Sequence, residues 1–397
     1  MSYLISLILL LLPAYLIRFS VFRIPTTVLE ILIYAIFLYG LWQAKKDGFR
    51  PIRARIFLPI SLLILALIIS TIISPDKRVA LGEFKGFFID PLLVFWLIYQ
   101  FAKKEDLKKF FLALFLSGGF VACQTIVLKF LGSTTPDGRV IGIFGYSPNY
   151  LALFLAPITV LLIASIPTTD YRLPLNNKFL RLAIVGILSA IYLLAIYFSG
   201  SRGGILAIAA GLGVFFILHF WQWIRHRLSS QIIIGILIMM AIYTSWVLFR
   251  PDFNVSPENG GRIATSNNLR FEIWQTSIEL GRKQPILGVG LGNFQNAFRD
   301  LTKNRGNFPE YITPMALTPH NIFLMFWLST GILGLVAFVW LLIEFFREGL
   351  KKLKLPMAAV LMAMMASIVV YGLVESSIWK NDLSIIFWVM WGLIWLI

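Results

Sequence analysis

The sequence predicts an all-α integral membrane protein. Apolar residues make up 58% of the 397 positions, charged residues only 14%, and the mean hydropathy is +0.82, which soluble domains do not reach. Repeated apolar stretches are long enough, at about 1.5 Å per helical residue, to cross a hydrocarbon core of roughly 30 Å. The loops between those stretches alternate in charge. We therefore expect about 12 transmembrane helices in a single polytopic domain, residues 1–397.

Twelve apolar segments support that expectation. Several are short, as tilted or partly re-entrant helices are. The first lacks a basic n-region and a small-residue cleavage site, so we interpret it as a retained helix and not a signal peptide. The segments are 2–17, 26–44, 57–74, 88–101, 110–131, 148–166, 182–199, 204–223, 231–249, 320–345, 357–375 and 384–397.

The distribution of Lys and Arg predicts the orientation, because short positive loops stay in the cytoplasm. Short loops on one face hold 18 Lys and Arg, and those on the other face hold eight. Both termini are therefore predicted to be cytoplasmic, in a bacterial inner (plasma) membrane, with the long loop 250–318 on the periplasmic side. The net charge of +16 has the same explanation and does not indicate nucleic-acid binding. The positive loops are 45–56, 102–109, 167–181, 224–230 and 346–356.

The long loop contains two amphipathic segments. Residues 250–268 are rich in turn formers, and residues 269–283 then predict an amphipathic helix that is capped by Ser266, Asn267 or Asn268 and ended by Gly281 and Pro285. A second short helix is expected in GLGNFQNAFRDL. The apolar stripe of the first helix is predicted to consist of Phe271, Trp274 and Ile278.

The sequence TPHNIF, at the start of the tenth apolar segment, predicts an anion site. Thr318 suits the N-cap and Pro319 the first helical position, which places His320 and Asn321 in the first turn of a membrane helix. Free N–H groups and the helix dipole attract phosphate there and favour a neutral imidazole. The alternative is a capping or interfacial histidine without chemistry. GYSPNYLALF shows the same pattern, with Asn149 following Ser147 and Pro148.

Three arginines are predicted on the same outer face. Arg202 lies in the tight turn FSGSRGG, where Gly200, Gly203 and Gly204 would let a bulky head group approach it. Arg270 lies on the amphipathic helix, and Arg139 in TTPDGRV is a weaker candidate. Each alone is equally compatible with a solvated or snorkelling side chain.

Taken in order, four motifs resemble the O-antigen ligase and polymerase superfamily of bacterial envelope polysaccharide assembly. They are GYSPNYLA at 145–152, SGSRGG at 199–204, NNLRFEIWQTSIELGRKQPILGVGLGNF at 267–294 and PHNIFLMFWLSTGILGL at 319–335. A nucleotide-binding role for the glycine-rich PILGVGLGNF is excluded by its predicted external position.

This resemblance implies a GT-C-like polytopic glycosyltransferase that uses no cofactor. Such an enzyme moves a glycan from undecaprenyl diphosphate to an acceptor, lipid A-core in the ligases, at the periplasmic face. The resemblance assigns catalysis to His320, Arg202 and Arg270. The arginines would lie on the diphosphate in place of a metal ion, and His320 would be the base for the acceptor hydroxyl or, alternatively, assist the diphosphate. Arg139, Asn149, Trp274 and Asn321 are the further candidates for diphosphate or glycan binding.

Two alternatives remain open at the level of sequence. A polysaccharide polymerase of the same superfamily shares the motifs, although the compact 69-residue loop before His320 favours a ligase. A solute transporter is opposed by the small number of ionisable residues in the apolar segments and by the lack of a predicted pair of broken helices.

Overall fold

The computed structural model describes residues 1–21, 24–51, 53–135, 137–144, 147–167, 178–219, 266–303, 305 and 316–397, and all statements below refer to them. The predicted helical class is confirmed. The helices are α1 (Ser2–Leu10), α2 (Val28–Asp47), α3 (Ala54–Ile73), α4 (Lys77–Glu83), α5 (Asp90–Phe101), α6 (Leu107–Phe130), α7 (Pro148–Ala164), α8 (Lys178–Phe198), α9 (Arg202–His219), α10 (Ser266–Lys283), α11 (Phe294–Thr302), α12 (Ile322–Lys351), α13 (Pro356–Gly372) and α14 (Asn381–Leu396).

Five helical segments of the described chain are long and apolar enough to cross a membrane: Val28–Asp47, Ala54–Ile73, Lys104–Phe130, Arg202–His219 and Ile322–Lys351. Shorter apolar helices accompany them at Pro148–Ala164, Leu182–Phe198, Pro356–Gly372 and Asn381–Leu396. The predicted segment 231–249 and the turn-rich residues 250–265 lie outside the described residues. The chain is thus a multi-pass membrane protein, and the number twelve stays a prediction.

Helix α13 forms the centre of the bundle. Residues Met357 to Ile368 are buried without interruption, which is expected of a helix that is apolar on every side and surrounded by others. It packs against α7 and α9. Gly211 of α9 makes this approach possible, because a Cβ there would lie 2.9 Å from the Ala363 carbonyl oxygen. Small residues allow such close contact where no hydrophobic effect drives helix association.

The first predicted segment is shorter in the structure than in the prediction. Helix α1 ends at Leu10, before Pro13, and a 3₁₀ turn over Leu12–Leu16 follows. The chain then forms an antiparallel pair of strands, β1 (Arg18–Val21) and β2 (Ile24–Thr27). A single crossing over residues 2–17 is therefore wrong, and the fold is not purely α-helical.

Helix α12 is broken at Gly331, although one continuous segment over 320–345 was predicted. Gly331 has φ 68° and ψ −171°, and the two halves fold toward each other so that the Phe326 and Phe338 rings stack with centroids 4.2 Å apart. Phe323 and Phe338 lie 5.7 Å apart by the same measure, whereas fifteen residues of continuous helix would separate them by about 22 Å. The break shortens the outer half of α12 to nine residues.

The glycine-rich segment after α10 fills the gap at this break. The Val289 N–H donates to the Leu328 carbonyl at 2.7 Å, and the Ile332 N–H donates to the Pro285 carbonyl at 3.1 Å. Gly331 has no room for a side chain, because a Cβ would lie 1.9 Å from the Ile286 carbonyl oxygen. The segment PILGVGLGNF thus supplies hydrogen bonds to a broken membrane helix, and α10 is joined firmly to α12.

Helix α10 confirms the amphipathic helix predicted for 269–283, and α11 the second helix, but the face that α10 packs against the protein is not the predicted apolar stripe. Phe271 is 54% exposed and Ile278 37% exposed, while Trp274 is half-buried. The buried face comprises Ile273, Thr276, Ser277 and Leu280. Because two of these residues are polar, an apolar pattern alone does not identify the face that packs on the protein.

The two ends of the bundle differ in chemistry. At one end, Arg53 and Lys352 lie over the Trp395 ring at 4.9 and 5.4 Å, so predicted positive loops meet the C-terminal helix there. At the other end of α3, the Ser74 hydroxyl donates to the Leu291 carbonyl of the predicted external loop at 2.8 Å. The candidate site lies at this second end.

Candidate active site

The seven residues selected from sequence lie at one end of the bundle, on separate elements. Asn149 is in the first turn of α7, Arg139 in the loop before it, and Arg202 in the first turn of α9. Arg270 and Trp274 of α10, together with His320 and Asn321 immediately before α12, complete the group. An eighth residue, Glu375, follows α13 and joins several of them.

His320 is hydrogen-bonded to Glu375, with 2.6 Å between Nδ1 and Oε1. The His320 side chain is 21% exposed and that of Glu375 only 6%, so the ring can be reached from outside while its partner is enclosed. His320 has φ +47°, the one positive value for a non-glycine residue in the described chain. Left-handed backbone at a non-glycine residue costs about 1 to 3 kcal/mol and is concentrated at functional sites.

The predicted helix start at Thr318 and Pro319 is wrong. Helix α12 begins at Ile322, and Asn321 is its N-cap, whose Oδ1 accepts from the Phe323 and Leu324 N–H groups, each at 3.0 Å. His320 therefore precedes the helix and is not in its first turn. The dipole argument for a neutral ring no longer applies, and the contact with Glu375 replaces it.

Glu375 determines how the imidazole can act. Burial alone would raise the pKa of the Glu375 carboxyl, but the nearby charges of His320 and Arg270 and the hydrogen bond from His320 outweigh burial and hold this pKa below its usual range. The carboxylate therefore stays ionised and can accept a hydrogen bond from Nδ1–H of the ring. In that tautomer Nε2 is the ring nitrogen that does not contact Glu375.

Asn149 and Arg139 continue the chain of polar contacts from Glu375. Asn149 Nδ2 donates to Glu375 Oε2 at 3.2 Å, and Arg139 Nη2 donates to Asn149 Oδ1 at 2.8 Å. Arg139 Nε also donates to the Ser199 carbonyl at 2.7 Å. The Ser147 cap and Pro148 start predicted for α7 are confirmed, since Ser147 Oγ accepts from the Asn149 N–H. Both carboxylate oxygens of Glu375 are therefore held in place, Oε1 by His320 and Oε2 by Asn149.

Arg202 and Arg270 lie within electrostatic range of Arg139. Burial lowers the pKa of the Arg139 guanidinium, Asp137 opposes this, and the positive charges of Arg270 and Arg202 lower the pKa further. Arg270 Nε donates to the Val374 carbonyl at 3.2 Å, next to Glu375. Three like charges held together in this way repel one another, and a bound anion would relieve the repulsion.

Trp274 and Asn321 hold the site together. Trp274 Nε1 lies 3.4 Å from the His320 carbonyl oxygen, and Asn321 Nδ2 donates to the Leu373 carbonyl at 3.0 Å. Helix α10 thus touches both sides of the His320 and Glu375 pair, through Trp274 and Arg270. These contacts orient the backbone that carries the side chains of His320 and Glu375.

The glycines around Arg202 have a different role from the predicted one. A Cβ at Gly200 would lie 3.0 Å from the Arg139 side chain, one at Gly203 2.8 Å from Tyr371, and one at Gly204 2.8 Å from Ala152. Their small size therefore serves contacts within the protein and does not leave room for a head group beside Arg202. The absence of a side chain at Gly200 allows Arg139 to lie against the turn between α8 and α9.

Sequence reasoning missed Glu375, because it found no outer carboxylate in a recognisable base motif. Glu375 is the last residue of the predicted segment 357–375, where an acidic residue is easily taken for an interfacial end. A signal was present: Glu375 ends one predicted membrane segment on the same face where His320 begins another. That coincidence indicates a pair.

Two comparisons show which known proteins this chain is similar to. The model of the protein family described as O-antigen ligase matches residues 187–339, which contain Arg202, Arg270 and His320. An O-antigen ligase of Salmonella typhimurium (strain LT2) is 24% identical over 335 residues, covering 80% of this chain and 77% of the relative. The resemblance of this chain to the O-antigen ligase family, first indicated by its four motifs, is confirmed.

Proposed function

We propose that this protein is an O-antigen ligase-type glycosyltransferase that moves a glycan from undecaprenyl diphosphate to lipid A-core or a similar acceptor at the periplasmic face. The observation that carries the proposal is the meeting of three arginines with the His320 and Glu375 pair at one end of the bundle. The similarity to O-antigen ligases supports the same reaction.

The arginines would bind the donor through its diphosphate. A guanidinium matches phosphate oxygens with two parallel N–H groups, and Arg202, Arg270 and Arg139 offer several such pairs at one place. As the bond between the sugar C1 and the diphosphate oxygen breaks, its electron pair passes to that oxygen. Fixed positive charge then stabilises the leaving group, the role that a divalent ion has in other sugar transferases. We therefore propose a metal-independent reaction without a cofactor.

His320 would activate the acceptor. Nε2 takes the proton of the acceptor hydroxyl while the hydroxyl oxygen forms its bond to C1, and Glu375 stabilises the imidazolium that results. The proton then leaves with the diphosphate or to solvent. Asn149, Trp274 and Asn321 are positioning residues in this scheme, because their side chains contact the protein groups that hold His320 and Glu375.

The proposed setting is a GT-C-like membrane domain of about 12 helices, residues 1–397, with loop 250–318 embedded in it. Charge supports the orientation: the site lies at the end opposite to the one where Arg53 and Lys352 gather. Both termini would then lie in the cytoplasm of a bacterial inner membrane, with the site outside.

Cysteine labelling tests this orientation. In a Cys123→Ser background, a cysteine at Lys303 or Asp137 is expected to react with an impermeant thiol reagent added to intact cells, because both positions belong to the proposed outer face. A cysteine at Lys46 or Lys103 is expected to react only after permeabilisation. The reverse pattern would place the site in the cytoplasm.

The polymerase remains the nearest alternative, because it would use the same arginines and histidine on a different acceptor. Transport is supported by one feature that the sequence did not predict: the described chain buries more ionisable side chains than expected, including Glu30 paired with Lys85 at 2.8 Å, Asp90 and Asp382. The break in α12 also supports transport, because broken helices are typical of transporter sites. The similarity to ligases and the composition of the site nevertheless favour transfer.

One reconstitution separates the three activities. Purified protein in liposomes is given an undecaprenyl diphosphate-linked glycan, with or without lipid A-core. A ligase attaches the glycan to lipid A-core and leaves the donor unchanged in its absence, whereas a polymerase lengthens the lipid-linked glycan without lipid A-core. Passage of a glycan into the vesicles with no new covalent product would refute both transferases.

Glu375 provides a test of the proposed pair. Glu375→Gln keeps the shape but can donate to Nδ1 and so favour the wrong tautomer of the ring, and we expect the turnover number to fall by on the order of 10² to 10⁴ with little change in the KM for donor. Glu375→Asp keeps the charge and should recover part of the loss. The measurement is steady-state transfer with both substrates varied.

A nearby carboxylate gives the matched control. Asp137, 63% exposed and 4.0 Å from Arg139, can be replaced by asparagine with little expected effect. If Glu375→Gln instead raises KM and spares turnover, or matches Asp137→Asn, Glu375 does not orient the base.

A further inference from the structure

Tyr371, near the end of α13, touches the residues on both sides of Arg202. Its hydroxyl oxygen lies 2.5 Å from Ser201 Oγ, and a Cβ at Gly203 would lie 2.8 Å from its ring. The glycine therefore lets the ring pack closely against the first turn of α9. Because Tyr371 and Ser201 are both buried, the backbone of Arg202 is held from inside the bundle.

The Tyr371 hydroxyl also reaches α7. It donates to the Asn149 carbonyl at 3.1 Å, so its single proton is used there and Ser201 is the donor in the contact with Tyr371. Ser201 Oγ in turn accepts from the Gly204 N–H at 3.3 Å, as an N-cap side chain does. A continuous chain of hydrogen bonds thus runs from the start of α9 to the start of α7.

These two helix starts carry different parts of the candidate site. Arg202 is in the first turn of α9, whereas the side chain of Asn149 in α7 donates to Glu375, the partner of His320. The hydroxyl of Tyr371 therefore fixes the distance between an arginine proposed to bind the diphosphate and the pair proposed to activate the acceptor.

Arg139 makes a second connection between the same two places. Its Nε donates to the Ser199 carbonyl at 2.7 Å, and its Nη2 donates to Asn149 Oδ1 at 2.8 Å. In the proposed reaction, however, this guanidinium also faces the diphosphate, whose oxygens compete with Asn149 for its N–H groups. The connection through Tyr371 is uncharged and buried, so an anion does not compete for it.

We propose that Tyr371 is a positioning residue that holds Arg202 in place relative to the His320 and Glu375 pair while the donor is bound. The proposal rests on the function proposed above. Tyr371 itself contacts neither substrate in this scheme, and its effect on transfer passes through Arg202. Ser201 belongs to the same chain of hydrogen bonds, so the two residues act as a unit.

Removal of the Tyr371 hydroxyl tests the proposal. Tyr371→Phe is expected to lower the turnover number by on the order of tenfold with little change in the KM for donor, because a displaced Arg202 stabilises the leaving group less well. In an Arg202→Ala background, the same substitution should cause no further loss. Ser201→Ala should resemble Tyr371→Phe, and the double variant should be no less active than the more impaired single variant. The measurement is steady-state transfer in proteoliposomes.

Tyr192→Phe is the matched control. Tyr192 is also buried, and its hydroxyl donates to the Phe115 carbonyl of α6, a helix that carries none of the residues proposed for the site. Both phenylalanine variants are expected to lose similar thermal stability, but only Tyr371→Phe should lower turnover. Equal turnover in the two variants, or a further tenfold loss on adding Tyr371→Phe to Arg202→Ala, would make Tyr371 a packing residue and overturn the proposal.

A failure of the proposed function would look different. Hydrogen–deuterium exchange measures the protection of the amides at 202–206 without any substrate. Faster exchange there in Tyr371→Phe than in Tyr192→Phe supports the connection even if the wild type transfers no glycan. Equal exchange, together with normal transfer by the wild type, refutes the connection alone.

Discussion

Replacement of His320 by alanine is expected to reduce glycan transfer by on the order of 10² to 10⁴, the usual effect of losing a general base. The residue accepts the proton from the acceptor hydroxyl in the proposed reaction, and the described residues place no second imidazole near Glu375. Insertion should be normal, because the side chain is partly exposed and precedes the membrane helix. Transfer is measured in proteoliposomes, and folding by thermal unfolding in detergent.

Two further variants decide what His320 does. His320→Gln keeps a hydrogen-bonding group but takes no proton, so it should be as inactive as alanine; near-normal turnover would make His320 a positioning residue. His219→Ala is the matched control, since this histidine lies at the end of α9 and stacks on Phe215 at 5.0 Å. Its loss should not change transfer.

Arg202→Ala and Arg270→Ala are each expected to lower turnover by on the order of 10² to 10³, the effect of removing one group that stabilises developing negative charge. Lysine should rescue poorly at either position, because it lacks the planar fork that binds two phosphate oxygens. Transfer and binding of undecaprenyl diphosphate are measured on the same preparations.

Arg282 is the matched control for Arg270, because it belongs to the same helix and is exposed. Arg282→Ala should behave as the wild type. Full activity of Arg202→Ala or Arg270→Ala would remove that arginine from the site. Full rescue by lysine would show that charge alone is needed and that the two parallel hydrogen bonds are not.

The sequence was sufficient for the helical membrane class and for the resemblance, because both depend on patterns carried by many residues. His320, Arg202 and Arg270 were selected by motif and Arg139 by its predicted outer position, and the structure places all four at one end of the bundle. The variants described above test the roles proposed for these residues. Helices at 148–164 and 266–283 also follow from local caps and breakers, which act over a few residues.

The errors arose where distant segments decide the local structure. Gly331 has the appearance of an ordinary residue of an apolar helix in the sequence, and the hydrogen bonds with the distant Pro285 and Val289 backbone favour a break there. Glu375 is 55 positions from His320, and no local pattern joins them. The protein-facing side of α10 could not be predicted for the same reason, since Thr276 and Ser277 are buried by contacts that the sequence alone does not reveal.

The break in α12 has a consequence for biosynthesis. Nine residues, the length of its outer half, are too few to cross a bilayer alone, and the open backbone at the break would be unfavourable in lipid without hydrogen-bond partners. Those partners, Pro285 and Val289, and the Ser70 hydroxyl that donates to the Ser329 carbonyl, are all made earlier in the chain. We therefore expect α12 to reach its bent form only after α3 and the segment following α10 have been synthesised and assembled, so that the site closes late, when the nascent chain is nearly complete.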